Sequence, residues 1–69
     1  MTYDIYAVYQ EGSYKVSEST HAEHGMDHAQ RVCKSIKRFP MGIAAIPRNE
    51  GSIRGPIFNL NDLKTRKDI

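Results

Sequence analysis

Three histidines and one cysteine are the residues of this sequence whose types and spacing could do chemistry. His21, His24 and His28 would share one face if the whole stretch were helical, at steps of three and four residues. Three imidazoles on one face could bind zinc or nickel, with water at the open position. Gly25 is expected to interrupt the helix between His24 and His28, and no HExxH spacing is present. We therefore predict exposed histidines near a helix start and no metal site.

Cys33 could act as a nucleophile if His24 or His28 served as its base. It belongs, however, to an apolar stripe with helical spacing, formed by Met26, Ala29, Val32, Cys33 and Ile36. An activated thiolate needs exposure and nearby positive charge, whereas a cysteine in an apolar stripe packs as a small hydrophobe. The segment from Gly51 to Gly55 matches neither phosphate-binding glycine pattern. We predict a non-catalytic protein without a cofactor.

The charges are divided unevenly along the chain. Residues 1–30 hold one lysine against five carboxylates, a balance of −4, and residues 31–67 hold nine cations against two carboxylates, a balance of +7. A chain polarised in this way can carry a basic surface. The predicted contacts to a partner protein are Lys34, Lys37, Arg38, Arg48 and Arg54.

Two kinds of partner fit this basic set. The first hypothesis is a small inhibitor or adaptor that docks on another protein through the basic surface. The alternative is a nucleic-acid-binding domain that uses the same cations, because phosphate neutralisation needs only clustered Lys and Arg. Its additional contacts would be Lys64, Arg66 and Lys67. Tyrosines could add stacking surfaces if they face outward: Tyr3, Tyr6, Tyr9 and Tyr14.

The apolar stripe predicts one long helix, from Met26 to Arg38. Pro40 cannot continue a helix and also restrains Phe39, so the helix should end there. The start is open to two interpretations. Ser19 or Thr20 could be the N-cap with a capping-box partner near Glu23, or Gly25 could be the cap. We favour the later start, because glycine within a helix costs about 1 kcal/mol relative to alanine.

Four strands are predicted around this helix. The first is a central strand over 3–10, which a glycine-containing loop at 11–13 joins to the second, over 14–19. In the second strand Tyr14 and Val16 should face inward and Lys15 and Ser17 outward, and the strand could run on toward residue 22. The apolar run 41–47 predicts a buried third strand beneath the helix. The fourth, within 53–60, should be short and at an edge because of Pro56.

The predicted fold is an α+β, ββαββ two-layer sandwich: a small antiparallel sheet with one helix across one face. Residues 1–62 would form the domain and 63–69 a basic C-terminal tail. In size and plan this is similar to small accessory proteins, including phage-encoded inhibitors.

A single cysteine excludes an internal disulfide, and the chain has no apolar run long enough to cross a membrane. Both observations favour a cytoplasmic protein without a membrane partner. A core this small also makes a homodimer a reasonable expectation, since pairing buries more surface.

Overall fold

The computed structural model describes residues 1–50 and 55–65. The chain forms β1 (Tyr3–Tyr9), β2 (Gly12–Ser19), α1 (Ala22–Ser35), β3 (Gly42–Pro47), β4 (Ile57–Phe58) and α2 (Leu60–Thr65). The strands make one four-stranded sheet of order β3-β1-β2-β4, and α1 packs across one face of it. The predicted α+β plan and the central position of β1 are confirmed.

β1 is antiparallel to both of its neighbours. Tyr9 lies opposite Gly12, so residues 10 and 11 alone form the turn, one residue fewer than predicted. Along β1, alternate residues face α1, with Ile5 and Ala7 fully buried. The predicted inward side chains of β2, Tyr14 and Val16, are buried as well. Among the described residues, the buried apolar core is Ile5, Ala7, Tyr9, Tyr14, Val16, Ala29, Cys33 and Leu63.

The fourth strand is short and at an edge, as predicted, but it runs parallel to β2, so the sheet is mixed. The backbone N–H of Ser13 donates to the carbonyl of Pro56 at 2.8 Å. The rings of Phe58 and Tyr14 lie 5.0 Å apart. Gly12 permits the close approach of β4 to β2. It has φ +150°, and an added Cβ would lie 2.6 Å from the Pro56 oxygen.

A β-bulge in β2 changes the direction of one side chain, because Ile5 and Tyr6 of β1 lie opposite Ser17 and Lys15 and leave Val16 as the extra residue. Ser17 was predicted to face outward, but its Oγ lies 2.8 Å from Nδ1 of His28 on α1. The outward prediction for Ser17 is therefore wrong, because strict alternation does not hold across a bulge.

The helix begins earlier than predicted. His21 is the N-cap and Ala22 the first helical residue, so Gly25 lies inside the helix and its N–H donates to the His21 carbonyl at 3.0 Å. A Cβ at Gly25 would lie 2.6 Å from the Ile5 side chain. Glycine thus allows α1 to approach β1 closely, and this packing outweighs its unfavourable helix propensity. The predicted break at Gly25 is wrong, and β2 ends at Ser19.

The helix also ends earlier, through a Schellman turn. Lys37 has φ +59°, and its N–H donates to the Lys34 carbonyl at 3.2 Å. The N–H of Arg38 donates to the Cys33 carbonyl at 3.0 Å. These two bonds satisfy the last carbonyls of α1 and reverse the chain. The predicted extension of the helix to Arg38 is wrong, because the Schellman turn at Lys37 ends the helix before Pro40 is reached.

β3 lies at an edge, and its residues are half-buried or exposed, so the prediction of a buried third strand is wrong. At the other end of the sheet, α2 crosses the expected boundary between domain and tail, and Leu63 is fully buried. Among the described residues, neither helix is long and apolar enough to span a membrane.

Candidate functional site

A groove of about 400 Å³ opens between α1 and the beginning of β3. Successive turns of the helix supply Met26, Gln30 and Lys34 along one side. The rest of the lining is Phe39, Pro40, Gly42 and Ile43. The groove therefore combines apolar surface with an amide and an ammonium group. Such a mixture suits an apolar side chain that has a carboxylate beside it.

Large apolar side chains stand exposed next to this groove. Phe39 is 71% exposed and Met41 is 76% exposed. Both lie in the segment that connects the Schellman turn to β3. Exposed aromatic residues beside a groove are typical anchors of protein–protein contacts.

Lys34 and Lys37 provide positive charge at the same end of α1. Both are exposed, and neither forms an ion pair within residues 1–50 and 55–65. Arg31, one turn earlier, is instead paired with Asp27 at 3.1 Å. The two lysines also lie at the negative end of the helix dipole, which stabilises them there.

Arg38 does not belong to this surface. It was predicted to be an exposed partner contact on the helix, but it is 5% exposed. Its Nη2 donates to Oε2 of Glu11 at 2.9 Å, and its guanidinium carbon lies 4.8 Å from the centre of the Tyr9 ring. The Tyr9 hydroxyl donates to the Arg38 carbonyl at 2.8 Å. The Schellman turn thus directs Arg38 inward, where it joins the turn between β1 and β2 to the end of α1.

The acidic partner of Arg38 is held in its charged form. A hydrogen bond from its own backbone N–H lowers the pKa of Glu11 most, and the bonds from Arg38 and Tyr14 lower it further. Burial raises the pKa of the Tyr9 phenol, and the contact with Cys33 acts in the same direction. These groups form a structural cluster at the end of α1. Among the described residues, Nη1 of Arg38 is buried there without a hydrogen-bond partner.

Arg48 lies on the sheet face opposite α1. Its guanidinium pairs with Asp4 at 2.9 Å and also with Glu18. Lys15 joins the same two carboxylates at 3.3 and 3.2 Å. The hydrogen bond from Arg48 lowers the pKa of Asp4, and Lys15 contributes to the shift. Arg48 is therefore separated from Lys34 and Lys37, and the predicted five-residue surface does not assemble as a whole.

The cations suggested for nucleic acid are described only in part. Lys64 lines a second cavity, of about 250 Å³, together with Arg31 and His28 of α1. Arg66 and Lys67 lie outside the described residues, as does Arg54 of the predicted protein-binding set. Tyr9 and Tyr14 are buried, so they offer no stacking surface to bases.

The histidines are exposed around the start of α1, as predicted. The rings of His21 and His24 lie 5.3 Å apart, and His28 contacts Ser17 as described above. Within residues 1–50 and 55–65, no three histidine, cysteine or carboxylate side chains are grouped to hold a metal ion. The predicted packing role of Cys33 is confirmed by its 1% exposure.

No family model, curated protein or solved structure matches the chain. The site is therefore defined by its own geometry. Lys34 and Lys37 were predicted as contacts from the sequence, but Phe39 was not. The available signal was that Phe39 falls outside the apolar stripe of the helix and immediately before a proline.

Proposed function

We propose that this chain is a non-catalytic binding protein, an inhibitor or adaptor, which docks on another protein through the groove between α1 and β3. The observation that carries the proposal is the apolar groove beside exposed Phe39, with two lysines at its end that form no ion pair among the described residues. The expected ligand is a segment of the partner with an apolar side chain and neighbouring carboxylates. The aromatic residue would supply most of the affinity, and the lysines would favour an acidic partner.

The apolar part of the proposal is tested by capture from nuclease-treated extract of the native cells. Phe39→Ala should weaken binding of the captured protein by about thirtyfold, the effect of losing an interface hot spot. Ile57→Ala is the matched control, since Ile57 is 54% exposed at the opposite edge of the sheet. Equal binding by the Phe39 variant and the wild type would refute this docking site.

The charged part is tested with Lys34→Ala and Lys37→Ala, alone and combined. Each should weaken binding severalfold, since charges at the rim of an interface contribute modestly. Arg31→Ala serves as the control on the same helix, because Arg31 is already paired with Asp27. A loss in the Arg31 variant as large as that in the lysine variants would indicate a general charge effect.

Nucleic acid is the second candidate. Three lysines on the α1 side favour it: Lys34, Lys37 and Lys64. In the described part of the chain none of them forms an ion pair. A nucleic-acid complex should weaken steeply with salt, with a slope set by the number of phosphates contacted. Loss of the captured material on nuclease treatment, together with such a slope, would favour this candidate over the protein partner.

A further inference from the structure

The outer edge of β3 is unprotected. Within residues 1–50 and 55–65 no strand pairs with it, and the strand Gly42–Pro47 contains no charged residue. A Cβ added at Gly42 would meet nothing within 4 Å. Natural edge strands are usually interrupted by charges, prolines or bulges, because their unpaired N–H and C=O groups bind other strands. In β3 the one such feature is Pro47, the last residue of the strand.

The ladder between β1 and β3 determines which backbone groups point outward. The N–H of Arg48 donates to the Thr2 carbonyl at 2.9 Å, in the same register as the strand pairs. Hydrogen-bonded pairs alternate along an antiparallel ladder. The even-numbered residues of β3 therefore face β1, and the N–H and C=O groups of Ile43 and Ala45 point outward.

We propose that β3 pairs antiparallel with β3 of a second copy of this chain, about a two-fold axis at Ala44. In this register Ile43 of each copy lies opposite Ala45 of the other. Four N–H···O=C bonds form, and they satisfy the outward donors and acceptors of both residues in both copies. The pairing joins two four-stranded sheets into one continuous sheet of eight strands.

Side chains favour this register. Ala44 faces Ala44 of the second copy in a pair without hydrogen bonds, the type in which Cα atoms approach to about 4.5 Å. Its small side chain suits that approach. No charges of like sign meet along the strand, and a chain of 69 residues gains stability by burying more surface.

The side chains along the edge are the reason to choose a second copy over a different partner, since Ala44 is small enough to lie opposite itself and β3 contains no charged residue. The edge offers two donors and two acceptors at a fixed spacing, and the second copy offers the same set in the complementary direction. The helix-side grooves of both copies remain on one face of the joined sheet. The dimer would therefore present two docking grooves, although its formation requires no other protein.

The mass of the full chain in solution tests the proposal. Sedimentation equilibrium should give twice the chain mass of 7.9 kDa, with dissociation on dilution. Ala45→Pro removes an outward N–H that makes no hydrogen bond within the part of the chain that the structure describes. It should raise the dissociation constant by about thirtyfold, because two hydrogen bonds per dimer are lost. Ala44→Lys should also give monomers, because it places two ammonium groups at the axis.

Ile57→Lys is the matched control, since it adds the same charge to the same sheet face at the opposite edge and should leave the dimer intact. Amide hydrogen exchange on the wild-type chain gives a second measurement that needs no variant. Ile43 and Ala45 should be protected at high concentration and exchange faster on dilution. A wild-type mass of 7.9 kDa at every concentration would overturn the proposal, as would rapid exchange at both residues.

This test is independent of the proposed function. Lys34→Ala should leave the dimer mass unchanged, whatever it does to partner binding. A dimer without a partner would support the edge pairing alone, and a monomer that binds its partner would support the groove alone. An extended segment of another protein bound at the edge of β3, with the wild-type chain monomeric, would contradict pairing between copies.

Discussion

The two edges of the sheet differ in how much of the chain covers them. At the β4 edge the strand has two residues, Phe58 packs on Tyr14, and Leu63 from α2 is fully buried. At the β3 edge the strand has six residues, its outward backbone groups are unpaired in the described structure, and Phe39 stands exposed beside it. The C-terminal segment thus completes one side of the domain and leaves the other side available for contacts. Both of our proposals therefore concern the β3 side.

The largest expected difference between the two sides is in stability. Leu63→Ala should lower the free energy of unfolding by about 2–4 kcal/mol, because it leaves a cavity where a fully buried side chain was. Phe39→Ala should change it by less than about 0.5 kcal/mol, since that ring is mostly exposed. Urea denaturation of both variants measures the difference. Similar losses in the two variants would contradict the assignment of a covered side and an open side.

Two glycines allow the same comparison at the backbone. Gly12→Ala should destabilise the fold by about 1–3 kcal/mol, because a Cβ there would strike the Pro56 carbonyl and the Phe58 ring at a positive φ. Gly42→Ala, on the β3 side, meets open space and should be nearly neutral. Thermal unfolding of the two variants measures this difference in stability. A neutral Gly12 variant would show that β4 does not dock as described.

Acid should weaken the attachment of β3 through Asp4. Because Arg48 and Lys15 lower the pKa of Asp4 below 3.8, its ion pairs stabilise the fold above that pH and lose this effect as pH falls through the folded-state pKa. Asp4→Asn should cost about 1 kcal/mol or less at neutral pH. Urea titrations across acidic pH should show the wild type and the variant converging. A difference that persists at the lowest pH would rule out this ionic contribution.

The smallest effect is expected where α1 turns toward β3. Lys37 adopts a left-handed conformation that glycine adopts without strain. Lys37→Gly should raise the free energy of unfolding by about 0.5 kcal/mol, after the greater flexibility of glycine in the unfolded state is included. If Lys37 also contacts the partner, the same variant should bind more weakly. Lys37→Ala, which keeps the strain, is the control and should show no gain in stability.

Local sequence patterns were sufficient for the elements but not for their ends. The alternation of β1 and the stripe of α1 predicted those elements correctly, since each pattern reports which side faces the core. The helix start was predicted too late, because Gly25 was expected to break the helix. Its role is to allow close packing against Ile5, which lies twenty residues away in the sequence. The helix end was missed because a lysine occupies the left-handed position where glycine usually signals a Schellman turn.

The candidate site was predicted in part for a similar reason. Lys34 follows from the helix period, so its exposure could be inferred, whereas Lys37 lies in the turn after the helix. The burial of Arg38 could not be inferred, because its partner Glu11 lies 27 residues earlier in the chain. The edge position of β3 depends on the order of strands in the sheet. An apolar run has the same composition at an edge as in the centre, so its sequence does not determine this order.

Photo-crosslinking tests the central claim, that the β3 side docks a partner protein, most directly. A photoreactive phenylalanine analogue is placed at position 39 in one variant and at position 57 in another, and each is irradiated in nuclease-treated extract of the native cells. We predict a discrete protein adduct larger than two copies of this chain from position 39 and none from position 57. Adducts from position 57 alone, or adducts that disappear on nuclease treatment, would contradict the account.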